Sequence, residues 1–135
     1  MKNLLLIIGF LSLPFSVFSQ EFINDKNFDK KIKGNPFDDD NGKIVIVEFW
    51  ADFNKNNAFK EWDQLKEVTY YRCDLAKCPE LKAKYKIRMA PTILIFSEGE
   101  PYIKFKAKAG LDLLCPVDVP KMERAIEVVK REAQY

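Results

Sequence analysis

Ile44-Val45-Ile46-Val47-Glu48-Phe49-Trp50 is the stretch that decides the fold of this 135-residue chain. Six of its seven residues are apolar, and they do not alternate with polar ones. A strand with one wet face alternates, so a continuous apolar run predicts a strand covered on both faces. Glu48 is the anomaly, a carboxylate in the middle of that run.

Working outward, residues 21–33 read as a short lead-in strand and then a helix, with Phe28 and Ile32 four apart on one face. Gly34-Asn35-Pro36 stops that helix. Phe37 to Gly42 is a polar, turn-rich loop. Its acidic triplet lacks the alternating oxygen ligands and closing Glu of an EF-hand, so it reads as a solvated loop. On the other side, Phe59, Trp62 and Leu65 fall at helical spacing and predict a helix over Ala58–Val68. A second strand is expected from Val68 to Cys73. Pro79 suits the first turn of a helix over 79–85, with Leu81 and Tyr85 inward. Thr92 to Phe96 is a third apolar strand. Ser97-Glu98-Gly99-Glu100 turns it into a hairpin partner from Tyr102 to Ala107. A last helix opens near Asp118, with Met122, Ile126 and Val129 as its apolar stripe.

The order is β-α-β-α-β-α-β-β-α. A helix between each early pair of strands implies parallel pairing by right-handed crossovers, and the hairpin adds antiparallel strands. The expected architecture is a three-layer α/β sandwich with a mixed sheet.

Residues 1–19 have the layout of a secretory signal peptide: Lys2, an apolar run from Leu4 to Leu13, Pro14, and Val17-Phe18-Ser19 before Gln20. The run is shorter than the roughly 20 residues of a bilayer-spanning helix, so no membrane insertion is expected after cleavage. The remaining 20–135 suffices for one domain. Losing Lys2 leaves 21 basic against 20 acidic residues, about +1. Such a balance gives no electrostatic case for a nucleic-acid partner. The chain contains no histidine, which removes His-based triads and His metal ligands. With three cysteines, a four-ligand zinc site is not expected, and no cofactor is implied.

Three segments then carry a resemblance. Val45-Ile46-Val47-Glu48-Phe49-Trp50-Ala51 looks like the central strand of the thioredoxin superfamily leading into its active-site loop. Asp74-Leu75-Ala76-Lys77-Cys78-Pro79-Glu80-Leu81 resembles the stretch after the next parallel strand. Tyr85-Lys86-Ile87-Arg88-Met89-Ala90-Pro91-Thr92 is similar to the segment carrying the cis-proline. Gly99 falls at the usual hairpin turn. The resemblance spans about residues 21–132 and implies a thioredoxin-like α/β/α sandwich.

The chain departs from the family where the chemistry should be. After Trp50-Ala51-Asp52-Phe53 comes Asn54-Lys55-Asn56-Asn57, with Asn54 and Asn57 at the two redox-cysteine positions. Dithiol exchange needs a thiolate and a second, resolving thiol. An amide supplies neither. Asparagine is a good helix N-cap, so Asn54 or Asn57 could cap the Ala58–Val68 helix; a polar ligand-contact role is the alternative. The connection from Asn57 to Val68 is also shorter than in typical members. Glu48 resembles the family's buried carboxylate. Without thiols it reads as a hydrogen-bonded core acid, facing Tyr70 on the neighbouring strand. The resemblance makes Pro91 the cis-proline and gives Ala90 a backbone able to pair with an extended peptide. Trp50, Phe53 and Gly110 would share that surface.

Cys73 and Cys78 have four residues between them, a spacing that allows a small disulfide loop; three unpaired thiols and a relocated redox pair are the other readings. In the family's strand order Cys115 lies about three strands from Cys73, about 14 Å at about 4.8 Å per strand. It is therefore the spare thiol, either buried or available to a partner. The apolar stretch from Leu111 to Val119 either packs under the last helix or forms a contact surface.

The function expected is that of an exported, non-catalytic binding or assembly module of the cell envelope, periplasmic or extracellular, holding a protein or extended peptide. The alternatives are a thiol oxidoreductase or isomerase using Cys73/Cys78 or Cys115, and a structural subunit of a larger envelope complex.

Overall fold

The structure, a computed structural model, describes residues 21–33, 44–107 and 113–133. The signal segment, the 37–42 loop, Gly110, Leu111 and Asp112 lie outside the described residues.

Among the described residues five strands form one sheet: β1 (Glu21–Ile23), β2 (Ile44–Trp50), β3 (Val68–Asp74), β4 (Thr92–Ser97) and β5 (Glu100–Lys106). Their spatial order is β1-β3-β2-β4-β5. β1–β3 and β2–β3 are parallel, while β2–β4 and β4–β5 are antiparallel, giving the expected mixed sheet. β2 is central, and its first six residues are buried. Val45, Val47 and Phe49 enter one core, and Ile44 and Ile46 the other. That division explains the absence of alternation in its sequence.

Helices α1 (Phe28–Lys33) and α2 (Pro79–Lys84) contribute Phe28, Ile32 and Leu81 to the first core. The first two free amides of α2, Glu80 and Leu81 N–H, donate to the Asp25 carboxylate at 3.2 and 3.0 Å. Helix α3 (Val119–Glu132) covers the second core with Met122, Ala125, Ile126 and Val129. Asp118 opens it as expected, accepting from Lys121 N–H at 2.8 Å. Between β4 and β5, Glu98 (φ 52°) and Gly99 (φ 81°) are both left-handed, as a two-residue hairpin turn of type I′ demands.

The crossover from β2 to β3 differs from expectation. No α-helix forms over 58–68. Two short 3-10 helices, Asp52–Asn57 and Trp62–Gln64, stand in its place. Phe59 supplies the reason. Its N–H donates to Glu48 Oε2 at 2.9 Å, and its carbonyl accepts from Arg72 Nη2 at 3.4 Å. In an α-helix over 58–68 that carbonyl would be needed by Asp63 N–H, while the Phe59 N–H, in the first turn, would be free in any case. Ala58 runs extended instead (φ −63°, ψ 153°). Phe59 and Leu65 are still buried, and Trp62 still packs on the same core. Their spacing marked inward anchors correctly, on irregular backbone.

Candidate functional site

Glu48 is fully buried, and its carboxylate collects four donors. Phe59 N–H bonds Oε2, while Tyr70 Oη and Arg72 Nε bond Oε1 at 3.2 and 3.0 Å. Arg72 Nη2 completes the ion pair at 2.9 Å. Register dictates the partnership: Glu48 lies directly opposite Arg72 on β3, and Tyr70 is two residues back on the same face. Burial pushes the Glu48 pKa up, and the Arg72 charge pulls against it. The expected contact with Tyr70 is present. Burial, then the Glu48 charge, raises the Tyr70 hydroxyl well above its ordinary value.

Arg72 is a residue that sequence reasoning missed. Its guanidinium lies 5.8 Å from the Trp50 ring centre and 5.9 Å from that of Phe22. The two rings meet edge to face at 5.5 Å. Beside this crossover without an α-helix, an aromatic–arginine stack thus covers this corner of the sheet. The signal available was the β3 alternation of Tyr70 and Arg72, legible once β3 is paired with β2.

At the end of β2 the two asparagines form a clasp. Asn54 Nδ2 donates to the Ala90 carbonyl at 2.8 Å and to the Leu113 carbonyl at 3.0 Å. Asn57 Nδ2 donates to Asn54 Oδ1 at 2.7 Å. One amide therefore joins three loops, and the second orients it. The capping reading fails, because no α-helix follows and neither side chain caps the 3-10 segment.

The Ala90–Pro91 bond is cis, as the resemblance implied. Ala90 itself is 2% exposed, and its carbonyl is bonded to Asn54. The expectation that Ala90 pairs with an extended peptide is corrected accordingly: burial and the Asn54 amide occupy the backbone such a strand would use. Trp50 is half-buried within the arginine stack, whereas Phe53 is 80% exposed. On the facing loop Leu114 is 60% exposed, while Val117 is buried and Cys115 and Val119 pack against the second core. The 113–119 stretch is thus both anchor and surface. Phe53 and Leu114 each adjoin a residue of the Asn54–Leu113 bond, so the clasp fixes two exposed apolar side chains at one end of the sheet.

Cys73 and Cys78 come together as their spacing suggested, but as free thiols rather than a disulfide. Both are fully buried. Cys78 Sγ–H points at the Ile23 carbonyl at 3.6 Å, and Cys73 packs in the same core cluster. Their protons are thus placed within an apolar core. Burial, first among several causes, drives the Cys73 thiol well up from its ordinary value and raises that of Cys78. A protonated, water-excluded thiol does not attack a protein disulfide. Cys115 is half-buried on the opposite face of the sheet, its Sγ–H 3.3 Å from the Val117 carbonyl. Burial, with the charges of Glu48, Glu61 and Asp118, raises it too.

Among the described residues no group of three or more His, Cys, Asp or Glu side chains could hold a metal ion, and no helix is long and apolar enough to cross a membrane. The family model described as Thioredoxin matches residues 19–115. No curated protein sequence matches the chain. A designed protein of known structure superposes with a TM-score of 0.54 at 20% identity, covering 87% of this chain and 99% of that one. A thioredoxin from Malassezia sympodialis, Mala s 13, gives 0.56 at 20% identity, covering 83% and 91%. Identities at this level speak to the fold.

Proposed function

The chain belongs to the thioredoxin family, and from that membership we propose that it is an exported, non-catalytic protein-binding module of the cell envelope. The observation that carries this reading is the amide clasp. Where exchange chemistry needs two thiols, Asn54 and Asn57 bond to each other and to the carbonyls of Ala90 and Leu113. The same clasp holds Phe53 and Leu114 outward, and exposed apolar side chains on rigidly tied loops suit recognition of a protein surface. The partner contacts those two side chains rather than the Ala90 backbone. Export follows from the signal-like segment at residues 1–19.

The test joins two measurements on the mature protein. Insulin reduction should stay at background. Affinity capture from envelope extracts should recover a defined protein that is lost when Phe53→Ser and Leu114→Ser are combined. Reductase activity that disappears with Cys73→Ser and Cys78→Ser would instead establish an enzyme. Identical capture by wild type and the double variant would remove the assigned surface.

A further inference from the structure

Beside the clasp, at the same end of the sheet, four cations lie together. Lys86 and Arg88 sit on the turn between α2 and β4, and Lys104 and Lys106 on β5. Lys104 pairs in register with Leu94 and Lys106 with Thr92, so the two lysines share one face of the edge strand. Lys104 Nζ donates to the carbonyls of Tyr85 at 2.8 Å and Lys86 at 3.4 Å, which ties the strand to the turn. Burial first, and then the neighbouring charges of Lys106, Lys86 and Arg88, lower the Lys104 pKa. Among the described residues, none of the four cations has a carboxylate partner within ion-pair distance. With a mature charge near +1, this is a local concentration rather than a basic protein.

Lysines alone often blunt a sheet edge against unwanted pairing. That role does not require Lys86 and Arg88 on the neighbouring turn. The cations also adjoin the site. Arg88 lies two residues before Ala90, which receives the Asn54 amide, and Ala107, next to Lys106, donates its N–H to the Pro91 carbonyl at 3.1 Å. Lys106 stands on the edge strand β5 and Lys86 and Arg88 on the turn that leads into its neighbour β4, so a segment reaching all three passes along a sheet edge. We propose that the segment recognised at this end of the sheet is acidic and extended, with carboxylates meeting Arg88, Lys86 and Lys106 while an apolar residue seats on Phe53 and Leu114. This rests on the protein-binding reading above and adds the chemistry of the partner.

The experiment uses the mature protein and three fluorescein-labelled peptides about 10 residues long. Each has a central Phe, with Glu, Gln or Lys at alternate positions. Mixed phosphatidylcholine–phosphatidylglycerol vesicles form a fourth arm. Anisotropy should show the Glu peptide bound at least about tenfold more tightly than the Gln peptide, with the gap shrinking between about 20 and about 150 mM salt. Lys86→Glu, Arg88→Glu and Lys106→Glu together should erase or invert that preference. Phe53→Ser should weaken the Glu peptide yet keep the preference. Equal affinity for the three peptides, no binding by any, vesicle binding without peptide preference, or an unchanged charge-reversal variant would each overturn the proposal. If Phe53→Ser has no effect while charge reversal abolishes binding, the acidic partner stands and the apolar surface falls. The opposite pattern sinks the acidic partner and leaves the apolar surface standing.

Discussion

The molecule carries two close side-chain pairs with opposite endowments. Cys73 and Cys78 possess redox chemistry and are sealed in the core; Asn54 and Asn57 occupy the family's working position and have none. In the thiol pair, burial holds both protons on. In the amide pair, the same kind of short polar contact is spent on tying loops. Reactivity in this fold depends on place as much as on atom type, and here the two have come apart. One pair is a core contact and the other shapes a surface.

The largest expected effect concerns the floor beneath the amide pair. Arg72→Met leaves Glu48 buried without its cation and should cost about 3–5 kcal/mol at neutral or higher pH. The pH dependence has a definite sign. Below the ordinary carboxylate range of about 4.3, Glu48 is protonated in both folded and unfolded chains, and no charge is buried. Because burial has already raised its folded pKa, stability falls as pH climbs from there through the folded value. Removing Arg72 deepens that fall, so urea denaturation should show a larger loss at about pH 8 than at about pH 4. Equal losses would mean that the ion pair does not set the Glu48 charge.

Next in size is Cys73→Ser, which places a hydroxyl in an apolar core and should destabilise by about 2–3 kcal/mol, read as a lower urea midpoint. The contrast between the pairs also requires silence from these thiols. In the native protein, maleimide should label half-buried Cys115 first, and Cys73 and Cys78 only when urea opens the core. Rapid native labelling of Cys73 or Cys78 would make that pair a functional thiol site after all. The smallest changes fall on the clasp. Asn54→Ala removes bonds to two carbonyls and should cost about 1–2 kcal/mol. Asn57→Ala removes one bond and should cost about 0.5–1 kcal/mol. The reverse order would show that Asn57, not Asn54, holds the loops.

Much of this was readable in advance. The unalternating run at 44–50 marked a doubly covered strand because side chains on both faces had cores to enter. The Met122, Ile126 and Val129 stripe marked α3 because helix burial is periodic. The 58–68 crossover was not readable as it folds. Phe59, Trp62 and Leu65 face inward whether the backbone between them is helical or not, and the groups that decide are Glu48 and Arg72, distant in sequence. The spacing of Cys73 and Cys78 foretold contact but not oxidation state. The receiving side of the clasp is a pair of backbone carbonyls, at Ala90 and Leu113, which leave no mark in a sequence.

The crossover without an α-helix also gives the molecule an uneven clock. Its backbone is held by isolated turn bonds, such as Ala58 N–H to Lys55 O and Leu65 N–H to Trp62 O, both 3.3 Å, and by the buried anchors Phe59 and Leu65. Amides between those anchors can meet solvent through local openings, without waiting for the sheet to separate. In deuterated water residues 60–64 should exchange long before β2, and Trp62, stacked 6.3 Å from Tyr70, sits within the segment that opens first.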